Sequence, residues 1–546
     1  MKALSVERSI LEGEKEVKEL FEFVTMNAEH FTAYTMEQEV FSKVMQIGLA
    51  AMKCYFAQKG TGDVGDELVV EDDRVLPKEQ TLRGRDYFSV FGKFKVPRTY
   101  YRGGDGVPGI MPLDAQADLP ERCYSYLLQE WMDFLSLRDT FKESELTLAK
   151  LVGVRVGASR FEVVSQETAT KSSYETFYAH KTLPLSESEG ELQVLGFDGK
   201  GVPVIKKEAV KLKARPGKGE KRQKKKEAMV GVSYTVDRHE RTPEEVAENL
   251  IYPERAQAKR EAERPTVMRP PTELATLSEP EIVARQIAPI PQAEQTTQAE
   301  QTRSDFPNAQ NIRRLASLQQ SKAEVVKELV QDATRRDSTR NRPWVVVMDG
   351  ALGLWALVAT MLTGIAYIGI LDIIHVVEYL WKAGTALYGE QTPETQQWVY
   401  RHLLSILRGH VGRVIGGLKQ TVSKRRLNAG QKKALQDAIR YFENHRPWMR
   451  YDEYLKAGYP IGSGVVESTC GHTVKDRMEG TGRRWSLDGA ESTLLLRSVY
   501  TSGDWEAYWD SYIDQERTRL YDRTLQAIHL AEEYDDDSSP SKVVGM

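Results

Sequence analysis

The chain has 546 residues, enough for two to four domains, and its 40% hydrophobic and 28% charged content suits a globular protein with a sizeable core. Its 75 Lys and Arg against 79 Asp and Glu leave a formal net charge of −4, which points to no partner by itself and makes local charge clusters the informative quantity. Three scattered cysteines (Cys54, Cys123 and Cys470) with no CxxC pair exclude a disulfide framework and a cysteine zinc site; with a charged N-terminal stretch lacking an apolar signal core, they suit a reducing cytoplasm.

Residues 5–58 carry helical periodicity through Leu20, Phe21, Val24, Val40, Val44 and Leu49, and the glycines at 60–65 end it. RDYFSVFGKFKVPRTYYR (85–102) alternates apolar and polar residues and predicts a hairpin turning near Gly92, with Lys93, Lys95 and Arg98 available to DNA. Residues 122–175 read as helical. Within them 140–169 resembles a helix-turn-helix: one helix to Val152, a turn opened by Gly153, and a second helix capped by Ala158 or Ser159. Arg160 then falls in the first turn of a recognition helix; two packed helices with a glycine turn is the plainer alternative.

ELQVLGFDGKGVPVI (191–205) predicts a strand, a glycine turn and a second strand, and AMVGVSYTV (228–236) a third. Between them 206–226 holds eleven Lys or Arg, including Lys221, Arg222, Lys224 and Lys225, a cluster suited to phosphate backbone. Residues 238–310 are rich in Pro, Gln, Thr, Ala and Glu and read as a linker or loosely ordered insertion. A helix is expected over 310–336, then RPWVVVMDG (342–350) gives a fourth strand buried on both faces. The uncharged run 350–371 reaches the ~20 residues of a membrane span, yet its glycines and the central Thr363-Gly364 favour a helix, a turn and a buried strand. Helices follow over 394–446, with Lys419, Lys424, Arg425, Arg426, Lys432 and Lys433 clustered, then a helix from Gly464 to Met478. The last helices end near Leu530, and the acidic tail 532–546 reads as disordered.

This order of elements describes an α/β, RNase H-like catalytic core: a mixed five-stranded sheet with helices, interrupted by an α-helical insertion and preceded by a mostly helical DNA-binding region. Such a core draws acidic residues from its first strand, its fourth strand and its last helix, where this chain has Asp198, Asp349 and Glu467. Each Asp ends an apolar strand and precedes a glycine, which lets a large substrate approach. Glu467 has Ser463, Gly464, Cys470 and Gly471 three and four residues away, all small, leaving its carboxylate on an open helix face. Lys475, Arg477, Arg483 and Arg484 follow and suit phosphates.

The segments FDGKG, VVVMDGALGLW, ILDIIHVVEYLWKAG and YPIGSGVVESTCGHTVKDRMEGTGRRWS resemble those of bacterial insertion-sequence transposases of the DDE class, nearest the Kra-type group and more distantly Mutator-like transposases. FGKFKVPRTYYRG and SLRDTFKESELTL are similar to that group as well, so the resemblance spans roughly 80–500 apart from 238–310. It implies a triad of Asp198, Asp349 and Glu467 holding two Mg²⁺ ions, with Mn²⁺ as a substitute, for cleavage and strand transfer of double-stranded DNA. It also matches Asp372 and His375 to the C/D-x-x-H element of these families, expected as a hydrogen-bonded pair beside the site, with a DNA phosphate as another partner for His375. Asp372 is the rival of Asp349 for second aspartate. Two element ends imply a homodimer or larger assembly. A nuclease that does not transpose, and a DNA-binding protein without turnover, are the alternatives. The expected divisions are 1–120 for an N-terminal helical and β-hairpin region, 121–190 for a helix-turn-helix-like DNA-binding region, 191–236 and 311–388 for the core, 237–310 for a low-complexity linker or insertion, 389–457 for the helical insertion, 458–500 for the Glu467 helix and 501–546 for the C-terminal helix and tail.

Overall fold

The computed structural model describes residues 2–70, 74–104, 108–212, 225–257, 307–480 and 482–537. The chain divides into two compact units: Met1–Lys181 with Val202–Lys226 and Thr473–Met546, and Thr182–Gly201 with Glu227–His472.

In the first unit the expected helical stretch is an antiparallel pair, α1 (Val6–Asn27) and α2 (Ala33–Lys59). Ser5 and Thr32 cap their N-termini by accepting backbone N–H groups. Two antiparallel hairpins follow: β1 (Glu67–Val70) with β2 (Arg74–Pro77), and β3 (Arg83–Ser89) with β4 (Gly92–Arg98). The second turns at Gly92, whose φ of 133° demands glycine, as the sequence predicts. After α3 (Pro112–Gln116), helices α4 (Tyr126–Ser136), α5 (Phe141–Val152) and α6 (Ala158–Thr168) pack around Leu128, Met132, Leu148, Phe161 and Val164. Gly153 ends α5 in the left-handed conformation, as expected. The N-cap of α6 is Gly157 rather than Ala158 or Ser159, because the Glu145 carboxylate on α5 reaches over to accept from Ala158 N at 3.0 Å. Then comes α7 (Lys171–His180). The unit's C-terminal helices are Leu487–Thr501 and Trp505–Asp537; the latter runs past Leu530 into the acidic stretch, and 538–546 lie outside the described residues.

The second unit is built on a five-stranded mixed sheet of order β7-β6-β5-β8-β9. Its strands are β5 (Leu192–Pro203), β6 (Lys225–Val236), β7 (Gln310–Ser317), β8 (Trp344–Met348) and β9 (Tyr367–Leu371). β5, β8 and β9 are mutually parallel, and β6 pairs antiparallel with β7. Two expectations are corrected here. Within 191–205 the two expected strands are one, Leu192–Pro203, since the backbone stays extended through Gly199 and Gly201. The third strand is β7, where a helix was expected; the helix begins only at Lys322, capped by Ser321. Helical Pro243–Ile251 also interrupts the stretch read as a linker, burying Val246, Ala247 and Ile251; 258–306 lie outside the described residues.

The run 350–371 is the helix Leu352–Met361, a turn with Gly364 at φ 82°, and β9. No described helix is long and apolar enough to cross a membrane. Ile373–Tyr388 follows β9, and Pro393–Leu407, Val411–Lys424 and Ala429–His445 come after it. They share one apolar core with the sheet, through Val345, Val347, Ile370, Val376, Leu380, Leu403, Leu435 and Phe442.

Candidate functional site

The register of the parallel strands sets out the site. Phe197 pairs with Met348, and Met348 with Leu371, so the residues that follow (Asp198, Asp349 and Asp372) stand in one row across three adjacent strands. Strand neighbours lie ~4.8 Å apart, so the three carboxylates line up where β8 and β9 end, while β5 runs on to Pro203. β8 is apolar and buried throughout up to that row, as are Ile370 and Leu371 of β9; β5 adds one buried polar side chain, Gln193, which donates to Ser233 Oγ and Tyr234 O.

The three differ in what holds them. Asp372 is 0% exposed and caps Ile373–Tyr388 by accepting from Ile374 N at 3.1 Å. It also accepts from Ser463 N at 3.2 Å and Ser463 Oγ at 2.7 Å, while its own N–H donates to Met348 O. Burial nonetheless pushes its carboxyl above the usual carboxylate range, against these hydrogen bonds and the nearby His375. Asp349 is half-buried and accepts Ala351 N at 3.0 Å; its carbonyl receives Trp355 Nε1 at 2.7 Å, with Trp355 stacked on Trp448. Gly350 is required beside it, since a Cβ there would collide with the Tyr441 ring. Asp198 is also half-buried and accepts from the Cys470 thiol at 3.3 Å. Burial and the Asp198 charge push that thiol far up, so it stays a proton donor.

Glu467 arrives on the short helix Gly464–Thr469. Two devices set its place. The loop before it is clamped to Asp372 through Ser463 and to Ile373 N through Ile461 O. Val466 beside it drops onto Gly196 of β5, where any Cβ would overlap its Cγ2. Ser463 Oγ is then 2.7 Å from Asp372 Oδ2 and 3.4 Å from Glu467 Oε1. Asp372, His375 and Glu467 each bring a ligand atom into a group spanning no more than 4.8 Å. Burial, then the Asp372 and Asp198 charges, push Glu467 upward as well. The helix expected over Gly464–Met478 is present but widens to a π turn over Cys470–Lys475, at the residue that touches Asp198.

Of the expected set, Asp372, His375 and Asp198 all act on the Glu467 charge, and His375 acts on Asp372. Asp349 holds the strand position between Asp198 and Asp372, but is not in the 4.8 Å group. His375 lies 3.9 Å from Asp372 Oδ2 and 3.6 Å from Glu378. Among the described residues none of the four carboxylates pairs with Lys or Arg. A cluster of hard oxygen donors lacking such a counter-ion, two of them raised toward protonation, fits a divalent cation of the Mg²⁺ or Mn²⁺ kind. Ser463 and Cys470, noted in the sequence only as small neighbours of Glu467, prove to be hydrogen-bonded parts of the site. The sequence signal for Ser463 was its place four residues ahead of Glu467 at a helix start.

The expected DNA-contacting residues belong to the other unit, with different fates. Arg160 is exposed in the first turn of α6, and Lys475 and Arg484 are exposed. Lys225 is exposed and pairs with Glu479 at 2.6 Å. Lys221, Arg222 and Lys224 lie outside the described residues. Arg483 is half-buried and donates to the backbone of Asp476 and Arg477. Arg477 corrects the expectation: it is 2% exposed, donates to Ser136 O at 2.8 Å and lies over the Trp485 ring. Burial and the neighbouring Arg483 and Arg497 bring its guanidinium down to about 9, so it is a core residue and not a surface phosphate contact.

No family model matches the chain, and no curated protein matches it.

Proposed function

We propose that this chain is a DDE-class DNA transposase of a bacterial insertion sequence, acting from an RNase H-like core with a helical insertion over 389–457. The observation that carries the reading is the row Asp198, Asp349, Asp372 across three adjacent parallel strands, within β5 and just past the ends of β8 and β9, with Glu467 brought against it on a downstream helix. Phosphodiester transfer needs an activated oxygen nucleophile and a stabilised leaving oxygen, and two Mg²⁺ ions about 3.5–4 Å apart supply both when bound. Asp198 and Asp349 would hold the cations from adjacent strands, and Glu467 would complete the set from the helix. Asp372 acts chiefly through Ser463, fixing the loop that delivers Glu467. Cys470 orients the Asp198 carboxylate by donating to it. The half-buried imidazole of His375 faces Asp372 and offers a nitrogen donor that Mn²⁺ accepts more readily than Mg²⁺. The partner is double-stranded DNA at the element ends and target, bound by exposed basic residues such as Arg160, Lys475 and Arg484, and the expected compartment is the bacterial cytoplasm.

The test combines the purified chain, Mg²⁺ and DNA bearing the repeats that flank the coding region. Nicked and joined products are expected. They should vanish in Asp198→Ala, Asp349→Ala and Glu467→Ala, and fall in Asp372→Ala. Full activity in Glu467→Ala would sink the triad. Cleavage without joining indicates a nuclease that does not transpose, and binding without cleavage a protein that has lost turnover.

A further inference from the structure

Between the helices Ile373–Tyr388 and Ala429–His445 lies an open groove of about 620 Å³. None of the four carboxylates of the site lines it. Clefts of that size hold one small organic ligand rather than a duplex. Three of its charged lining residues are cationic, Lys382, Lys433 and Arg440, and the one carboxylate, Asp437, is already paired with Arg440. Lys433 is exposed and, among the described residues, forms no ion pair. The surroundings have the same sign: residues 408–450 hold eleven Lys or Arg against two Asp or Glu, in a chain whose net charge is −4.

The wall of the groove is aromatic. Tyr379 stacks on Tyr441, with centroids 3.9 Å apart and planes at 16°, and Lys382 Nζ stands 4.9 Å from the Tyr379 centroid. Both rings are half-buried and so fixed in the wall, while the lysine over Tyr379 is exposed. Asn444 is exposed beside them; its amide offers a donor and an acceptor together, and among the described residues nothing takes either. His445 belongs to the frame, since its ring nitrogens are engaged with Tyr441 O at 2.6 Å and Gly350 O at 2.8 Å. The groove thus backs on the Asp349–Gly350 turn: Tyr441 lines it, and the hydroxyl end of the same ring packs on Gly350.

We propose that this groove binds one unpaired nucleotide unit. Lys433, Lys382 and Arg440 take its phosphate, Tyr379 stacks on its base, and Asn444 meets the base edge. Cations beside an aromatic ring suit such a unit, because every base has a π face and every phosphate a charge. A bare phosphate or a lipid headgroup would leave Tyr379 and Asn444 unused. A duplex keeps its base faces stacked inside, so this requirement is separate from the double-stranded DNA proposed for the carboxylate row. The same chemistry has two sources, a free nucleoside phosphate or an unpaired residue of a strand; the second would continue past Tyr441 toward Asp349.

The test uses the full-length chain with a chelator and no divalent cation, so that binding is read whether or not the chain cleaves DNA. The probes are thymidine triphosphate, inorganic tripolyphosphate, and labelled octathymidylate alone or annealed to its complement. Thymidine triphosphate or single-stranded octathymidylate should bind, and the tighter of the two identifies the source. Tyr379→Ala should weaken binding about tenfold, the worth of one stacked base. Lys433→Ala should lower the slope of log affinity against log salt by about 0.7 for the single strand. Because Tyr379 is packed, Lys382→Ala and Asn444→Ala, both at exposed positions, provide a second check: each should weaken binding with an unchanged helical circular dichroism spectrum. Tripolyphosphate bound as tightly as thymidine triphosphate, a duplex bound as tightly as the single strand, or an affinity indifferent to both Lys433→Ala and Asn444→Ala overturns the proposal. Nucleotide binding that these substitutions abolish supports it even in a chain that yields no nicked product, a result that would count against the transposase reading alone.

Discussion

Gly196 offers the sharpest test of how Glu467 is positioned. Its φ is not positive, so Ala fits the backbone and would by itself add about 0.4–1 kcal/mol through the unfolded chain. The new methyl, however, would overlap Val466 Cγ2, with Val347 O at 3.3 Å on another side. The methyl would lie 2.2 Å from that Cγ2 against an ordinary carbon contact of about 3.5–4 Å, so Val466 must retreat by roughly 1.3–1.8 Å. Val466 is β-branched, stiff and buried, so the retreat passes to the short helix that bears it. The Cys470–Asp198 contact of 3.3 Å and the Ser463–Glu467 contact of 3.4 Å would both open beyond hydrogen-bonding range. Gly196→Ala is therefore expected to cost about 1–3 kcal/mol as overpacking, and about 10²-fold in strand cleavage as a misplaced Glu467. Thermal unfolding and the cleavage assay read the two effects separately. Val466→Ala removes the colliding methyl, so the double variant should recover cleavage and show a coupling of about 1 kcal/mol or more. A Gly196→Ala protein with wild-type melting and cleavage would refute the reasoning, as would a loss that Val466→Ala fails to relieve.

Ser463→Ala removes one donor from the fully buried Asp372, which should cost about 1–3 kcal/mol and appear as a lower melting temperature; an unchanged transition would dissolve the clamp. Glu467→Gln relieves repulsion from Asp372 and Asp198, so the cation-free protein should melt higher, while the rise in melting temperature that Mg²⁺ or Mn²⁺ gives the wild type should disappear. A cation-induced rise that persists in the variant argues against Glu467 as a ligand. Asp133, wholly buried with Ser165 and Thr168 donating to it, is held up to about 7 by burial. Its unfolded value is near 3.9, so between about pH 4 and 7 the native state keeps a proton that the unfolded state has released. Stability should therefore fall as pH rises through that window and level off above it. Asp133→Asn should flatten the slope; a slope equal to wild type in melting temperature against pH would contradict this.

Much of the site was legible because its residues interrupt strong patterns. Asp349 and Asp372 bound an uncharged run whose central glycine could only be a turn, and Glu467 stood among residues too small to cover it. What stayed hidden depends on long-range pairing. β7 read as helix because Arg313 and Arg314 break its alternation, yet Arg313 is buried and paired with Glu328 and Asp332 on the following helix. The long run of β5 through Gly199 and Gly201 looked like a turn because glycine permits both. Arg477 shows the same limit for charge: a sequence counts cations, while the carbonyl that takes this one into the core belongs to Ser136, 341 residues away, with the nearby Trp485 ring beneath it. The cap of α6 was misplaced because its acceptor, Glu145, sits thirteen residues earlier.

The join between Cys470 and Asp198 closes over 272 residues, and that between Ser463 and Asp372 over 91. The strand that carries Asp198 is the middle one of its sheet, so it is threaded early and covered late. Until the chain has been made beyond residue 470, the trough at Gly196 has no Val466 to fill it and the strand-end carboxylates face one another with nothing to arbitrate between them. A fragment ending before Glu467 lacks the last member of the constellation. The acidic cluster is thus completed only once the segment carrying Glu467 has been made, and a chain interrupted before it leaves the other carboxylates apart from their last member.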